Sequence, residues 1–189
     1  MNDGQLLEVL QQTPVICAVK SPSELEDALK YDSSIIFILF GNVLSISDIT
    51  EKVNKAGKQA FIHVDLIEGL SSKEVAIDYL VKNTKVDGII STKSNVLRRA
   101  KKLELFTIHR FFVLDSLAIE NIKNHIPFKY ADAVEILPGA MPKVIKMVSA
   151  FTQKPVIASG LINDKEDVVG VLKAGAISVS STNPKVWSL

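Results

Sequence analysis

Apolar residues in this chain gather in short, nearly continuous runs separated by longer mixed segments. The runs are Val15–Val19, Ile35–Phe40, Phe61–Val64, Gly88–Ile90, Phe106–Ile108, Ala133–Leu137, Val156–Ala158 and Ala176–Val179. Strands covered on both faces have this unbroken character, so the pattern predicts a parallel sheet. The segments between them place apolar residues at helical spacing: Leu25, Ala28 and Leu29; Ile49, Val53 and Ala56; Ile77, Leu80 and Val81; Val144, Ile145 and Val148; Val168, Val171 and Leu172. Ser21-Pro22-Ser23-Glu24 offers a serine N-cap, a proline at the first helical position and a glutamate at the third, the makings of a capping box. Asp48 with Glu51 and Ser71 with Glu74 repeat that spacing, and Gly57 and Gly175 stand where helices have to stop. Leu6, Leu7 and Leu10 give residues 1–12 an apolar face, which predicts a short leading helix.

Eight strand–helix units follow one another with no linker or low-complexity break. They predict one α/β domain over residues 1–189, a compact (β/α)8 TIM-type barrel with a short N-terminal helix. The competing arrangement is an open doubly wound sheet, which eight sequential units disfavour. A TIM barrel usually takes roughly 250 residues, so this chain is left with little for long loops or a second domain.

Composition narrows the function. A hydrophobic content of 47% suits a core that buries roughly 70% of the unfolded surface. Lys and Arg number 22 against 21 acidic residues, so no strongly cationic nucleic-acid footprint exists at the level of the whole chain. The single cysteine, Cys17, excludes an internal disulfide and a cysteine metal site. Asp3 and Glu8 interrupt the start, where a signal peptide would need an apolar core, and no apolar run approaches the length of a membrane span. A cytoplasmic protein with no membrane partner is expected.

Ligands of such barrels meet the C-terminal ends of the strands. That rule selects Lys20, the Phe40-Gly41-Asn42 turn, His63 and Asp65 on one face of strand 3, Ser91-Thr92-Lys93, His109-Arg110, and Glu135. The last strands run into Leu137-Pro138-Gly139, Ser159-Gly160-Leu161 and Ser180-Ser181-Thr182-Asn183. A glycine turn after strand 7 and a hydroxyl-rich turn after strand 8 match the place where barrels bind phosphate on backbone N–H groups.

A mouth carrying Lys20, Asp65, Lys93, Arg110 and Glu135 suits a small anionic ligand: the cations meet phosphate, and the carboxylates accept hydrogen bonds from hydroxyls. Blander roles stay open for each. Lys20 and Lys93 fit solvated loops, Asp65 fits an ion pair with Arg110, His63 fits a satisfied core position, and Gly160 fits strand–helix packing. Of the alternating pair His109 and Arg110, the arginine is expected inside and the histidine toward the helices. His125, near Pro127, is expected on a surface loop. His63, Asp65 and Glu135 lack metal-ligand spacing, so no metal is expected. No serine sits in a nucleophile elbow, so no nucleophile is assigned. The best local nucleic-acid candidate is Arg98-Arg99-Ala100-Lys101-Lys102, where Arg98, Lys101 and Lys102 share a helical face that could follow a phosphate backbone. A solvated outer helix face is the alternative, and no aromatic interleaving accompanies the run.

Several strings are more specific. Phe37-Ile-Leu-Phe-Gly-Asn, His63-Val-Asp-Leu-Ile-Glu-Gly-Leu, Asp87-Gly-Ile-Ile-Ser-Thr-Lys-Ser-Asn, His109-Arg-Phe-Phe-Val-Leu-Asp-Ser, Glu135-Ile-Leu-Pro-Gly-Ala-Met-Pro-Lys-Val and Gly160-Leu-Ile-Asn-Asp-Lys-Glu-Asp resemble the glycerol-3-phosphate-responsive antiterminators over essentially the whole chain. The resemblance implies a non-catalytic barrel that senses glycerol 3-phosphate, needs no cofactor, and acts on the leader mRNA of glycerol-utilisation operons so that transcription passes a terminator. Phosphate would dock near Gly160, Leu161, Ser181 and Thr182 with Arg110 or Lys93, and the glycerol hydroxyls would meet Asp65 and Glu135; Lys20, His63 and Gly139 complete the candidate set. Ser159 departs from the Gly-Gly-Leu-Ile turn expected of the family, and its side chain would either add a hydroxyl or crowd the phosphate. The rival reading is a small barrel enzyme (an aldolase, isomerase or lyase) working on a phosphorylated substrate, with His63, Asp65 and Glu135 as acid–base groups. A barrel that only scaffolds partner proteins is a third. No heptad or apolar patch in the sequence sets an oligomeric state.

Overall fold

The computed structural model describes residues 8–11, 13–124 and 128–189. Its parallel strands close in chain order into a barrel: β1 (Val15–Val19), β2 (Ile35–Ile38), β3 (Gln59–His63), β4 (Gly88–Ser91), β5 (Phe106–Phe112), β6 (Ala133–Leu137), β7 (Val156–Ser159) and β8 (Ser178–Ser181). Each strand leads into a helix: α1 (Pro22–Ala28), α2 (Ile46–Lys55), α3 (Glu74–Asn83), α4 (Ser94–Lys102), α5 (Ser116–Asn124), α6 (Pro142–Phe151), α7 (Lys165–Lys173) and α8 (Pro184–Trp187). The TIM-type (β/α)8 barrel predicted from the apolar pattern is therefore the observed fold. Of the predicted leading helix, residues 8–11 are helical and Leu10 packs into the barrel interior, while Leu6 and Leu7 lie outside the described residues, as does His125.

The helix starts separate one true capping signal from two false ones. Ser21 Oγ accepts from the Glu24 amide at 3.2 Å, and Glu24 Oε2 accepts from the Lys20 amide at 2.7 Å, so α1 begins with reciprocal satisfaction of donors. Asp48 does not cap α2. That helix starts earlier, at Ile46, because Asn42 Oδ1 folds the preceding turn by accepting from the amides of Leu44 (2.9 Å) and Ser45 (3.1 Å). Ser71 also lies outside its helix; Lys73 precedes the first residue of α3.

Two strands differ in extent from the prediction. β5 runs on to Phe112 because Arg110 and Phe112 pair with Glu135 and Leu137 of β6. β8 takes in Ser180 and Ser181, whose hydroxyls find acceptors in the protein and so remain inside a strand that hydrophobicity alone would end earlier.

Strand register builds the interior in levels. Each strand stands one residue further along than its neighbour at a given height, so inward side chains from alternate strands form layers of four. From the bottom these are Ile35, Gly88, Ala133 and Ser178, then Ile16, Phe61, Ile108 and Ile157. Next come Phe37, Ile90, Glu135 and Ser180, and above them Ala18, His63, Arg110 and Ser159. The lower levels are dry and aromatic: Phe37, Phe61 and Phe106 rings stand 5.9 and 6.3 Å apart in sequence. Gly88 is required there, since a Cβ would fall 2.3 Å from the Phe61 ring. The upper two levels are polar on one side only, and the candidate site lies on that side.

Candidate functional site

Arg110 and Glu135 are register partners on β5 and β6, so both side chains leave the sheet on the same face, toward the barrel axis. Arg110 Nε donates to Glu135 Oε2 at 2.6 Å and Nη2 donates to Oε1 at 3.1 Å. Glu135 is fully buried and Arg110 is 6% exposed. Such a pair is tolerated in an interior because the fork geometry matches the carboxylate and further hydrogen bonds complete it. Here the completion comes from β8 and β7: Ser180 Oγ donates to Glu135 Oε1 at 3.1 Å, and the Ser159 and Ser180 hydroxyls are 2.5 Å apart. Ser159 thus extends a buried polar chain that runs Arg110–Glu135–Ser180–Ser159 across four strands.

Directly above lies a cavity of about 300 Å³. Ala18, Leu39, Arg110, Leu137, Ser159 and Ser180 form its floor and walls, and Gly160 to Asn163 with Ser181 to Asn183 form its rim. Gly160 and Leu161 have φ of 78° and 60°, a left-handed pair that turns the chain back over the β7 end. Leu161 adopts this conformation at a steric cost and remains 70% exposed. Ser181 Oγ donates to the Ile162 carbonyl at 3.0 Å, Asn183 Nδ2 donates to the Asn163 carbonyl at 3.1 Å, and Trp187 Nε1 donates to the Ser181 carbonyl at 2.6 Å. The two rim loops are thereby tied to each other and to α8. A guanidinium has five N–H groups; two face Glu135, and the other three have no partner among the described residues. Arg110 therefore presents unused charged donors to a cavity, which is an anion site by its chemistry.

The candidate residues divide into two groups. Arg110, Gly160, Leu161, Ser181 and Thr182 meet at the cavity, with Glu135 supporting Arg110 from below. Gly139 stands behind the β7 turn: its N–H donates to the Ser159 carbonyl at 2.5 Å, and a Cβ there would lie 2.4 Å from the Ser159 amide nitrogen. It fixes the rim without lining it. His63 shares the level of Arg110 and Ser159, and its Nδ1 is buried without a hydrogen-bond partner. Burial first, and the Arg110 charge second, push its pKa down to about 4.

The other group lies elsewhere. Asp65 belongs to a short 3-10 turn after β3, and its carboxylate accepts from Ser91 Oγ at 2.9 Å and from Thr92 N and Oγ1 at 2.8 and 2.9 Å. Burial raises its pKa, but those hydrogen bonds outweigh it and hold the group below the usual carboxylate value. Asp65 orders the β4–α4 turn and makes no pair with Arg110. Lys93 reaches Ser72 on the outside of the mouth, and Lys20 is exposed at the start of α1. His109 faces the helices as predicted, with its ring 4.1 Å from that of Phe111.

The cationic run on α4 is matched by acids. Arg98 pairs with Glu74, Arg99 Nε donates to Asp78 at 2.9 Å, and Lys101 pairs with Asp132, whose carboxylate is buried; Lys102 is exposed. These pairs stitch α4 to α3 and to the start of β6.

Ser180, Ala18, Asn163 and Asn183 also belong to the site, and the strand-end rule does not find them. The signal for Ser180 was its spacing two residues from Ser178 on one strand face. Ala18 carried none, because its contribution is the space it leaves opposite Arg110. Among the described residues, no group of three His, Cys, Asp or Glu side chains converges to hold a metal ion, and no helix is long and apolar enough to cross a membrane.

Comparison with known proteins agrees with this architecture. The chain is 46% identical over 184 residues to the uncharacterized protein YgcP of Escherichia coli (strain K12), covering 97% of this chain and 96% of that one. The crystal structure of a glycerol uptake operon antiterminator regulatory protein from Listeria monocytogenes superposes with a TM-score of 0.88 at 32% identity, over 93% of this chain and 95% of the other. A glycerol uptake operon antiterminator-related protein from Thermotoga maritima superposes with a TM-score of 0.81 at 30% identity, over 93% and 98%. The family model described as glycerol-3-phosphate responsive antiterminator matches residues 15–187, that is, the closed barrel from β1 to α8. The chain belongs to the glycerol-3-phosphate responsive antiterminator family.

Proposed function

We propose that this barrel is a glycerol 3-phosphate sensor that binds the leader mRNA of glycerol-utilisation operons and prevents termination when the ligand is bound. The observation that carries the ligand half of this reading is Arg110, held by Glu135 with three N–H groups left for the cavity between the β7 and β8 loops. At about 300 Å³ that cavity is at the small end of ligand sites, which suits a three-carbon phosphate. The phosphate meets Arg110 and the rim at Gly160, Leu161, Ser181 and Thr182. Occupation of the rim then favours the RNA-competent state by as much as the ligand's differential affinity for it.

The enzyme alternative has less support from the residues. A Schiff-base aldolase needs a lysine amine at the substrate, and among the described residues no lysine lines the cavity. Asp65 and Glu135, the two carboxylates available for acid–base work, are both engaged in protein hydrogen bonds.

The test is filter binding of a glycerol-operon leader RNA with and without glycerol 3-phosphate. Retention that rises with ligand is expected, and equal retention in both conditions would overturn the coupling. Nuclear magnetic resonance of the incubated ligand checks the sensor against the enzyme: glycerol 3-phosphate returned unchanged fits the sensor, and product formation contradicts it.

A further inference from the structure

The phosphate site leaves one group at its centre without a task. His63 shares its level with Ala18, Arg110 and Ser159, and those three line the cavity. The histidine is only 3% exposed, and its Nδ1 has no hydrogen-bond partner among the described residues. A buried ring nitrogen left unpaired costs free energy, and native proteins rarely keep one without use. With a pKa near 4 the ring is neutral at physiological pH, one nitrogen carrying a proton and the other a lone pair.

That chemistry points away from phosphate and toward a hydroxyl. A phosphate oxygen only accepts, and Arg110 is the better donor for it. A hydroxyl both donates and accepts, so it satisfies a neutral imidazole in either tautomer. The carboxylates that would otherwise read hydroxyls are occupied: both Asp65 oxygens accept from Ser91 or Thr92, and Glu135 is buried beneath Arg110 and Ser180. Ala18, the smallest side chain of the level, leaves room beside the ring. Ser159, on β7 across the barrel from β3, offers a second hydroxyl on the far side of that room.

The geometry points to His63 as the residue that reads the hydroxylated carbon end of the ligand, through a hydrogen bond between Nδ1 and a ligand hydroxyl. Resting on the phosphate site proposed above, this assignment makes the barrel selective for short phosphorylated polyols over plain alkyl phosphates. Arg110 and the rim supply the affinity common to both, and His63 supplies the difference.

Calorimetric titration of the full chain with glycerol 3-phosphate and with n-propyl phosphate measures that difference. The wild type is expected to prefer glycerol 3-phosphate by about tenfold, the scale of one neutral hydrogen bond. His63→Leu should bring the ratio close to one with propyl phosphate affinity little changed. His63→Asn, whose amide sits near the position of Nδ1, should restore much of the preference. A wild-type ratio of one, or a preference that survives in His63→Leu, would overturn the assignment. Should His63→Leu fail to fold, the ring nitrogen resonances of the wild type decide, since the chain has only three histidines to assign. A His63 Nδ1 shift with glycerol 3-phosphate and none with propyl phosphate is expected; the same response to both would overturn the assignment. Absence of any glycerol 3-phosphate binding would instead overturn the phosphate site itself, and this assignment with it.

Discussion

The two halves of the barrel are built from the same strand–helix unit and put to different uses. In the β1–β4 half the inward residues of the upper levels are Ala18, Phe37, His63 and Ile90; in the β5–β8 half they are Arg110, Glu135, Ser159 and Ser180. The first half keeps its charges outside, on Lys20, Asp65 and Lys93, where they organise loops or meet solvent. The second brings an arginine and a glutamate inside and satisfies them with serine hydroxyls. Charge near a barrel mouth is thus a poor guide to the site by itself. The useful distinction is between charges consumed by the fold and charges the fold leaves partly unspent, and Arg110 is in the latter state.

The comparison can be broken at several points. Removing Glu135 should have the largest effect, because Glu135→Ala strands the Arg110 charge in the interior: a loss of about 3–5 kcal/mol is expected, read as a lower urea midpoint. His63 gives a pH signature of somewhat smaller size. Its folded pKa lies near 4, below the unfolded value of roughly 6.5, so between these pH values the unfolded chain binds the extra proton. Stability should therefore be complete above pH 6.5 and fall as pH drops toward 4, by on the order of 3 kcal/mol; denaturation of His63→Leu across the same range should lack that component. In the apolar half, Gly88→Ala forces a Cβ against the Phe61 ring and should cost about 1–3 kcal/mol in unfolding experiments while leaving ligand affinity nearly unchanged. Asp65→Ala removes the acceptor for Ser91 and Thr92; a loss of about 1–2 kcal/mol is expected, again with little effect on ligand binding, and a large drop in affinity would place the hydroxyl contact on Asp65 after all. Arg98→Ala breaks a solvent-exposed pair with Glu74 and should leave the unfolding midpoint unmoved.

The fold was legible because a two-face-covered strand needs continuous hydrophobicity and a surface helix needs a stripe, and both patterns survive in single sequences. Every apolar run named from the sequence overlaps an observed strand. The errors have local causes: Asp48 and Ser71 had capping spacing but not the preceding turn, and β8 was placed early because Ser180 and Ser181 look like a loop until Glu135 and the Ile162 carbonyl are seen to pair with them. The site was legible on the strands that carry both its charges and its glycine turn, β5 to β8. It was overread on β3 and β4, because sequence position tells that Asp65 and Lys93 follow strands but not that Ser91, Thr92 and Ser72 engage them. Ala18 was invisible, since its role is volume.

The central claim, that ligand binding belongs to the β5–β8 half through Arg110, has a direct test in calorimetric titration with glycerol 3-phosphate. The paired change Arg110→Met with Glu135→Gln removes both charges together, so it leaves no stranded ion and spares the fold. Lys93→Met serves as the control from the opposite half. The double variant is expected to bind glycerol 3-phosphate roughly 10- to 100-fold more weakly than the wild type, the scale of charged hydrogen bonds lost, and Lys93→Met to stay within about threefold. Wild-type affinity in the folded double variant, with binding lost in Lys93→Met, would contradict the account.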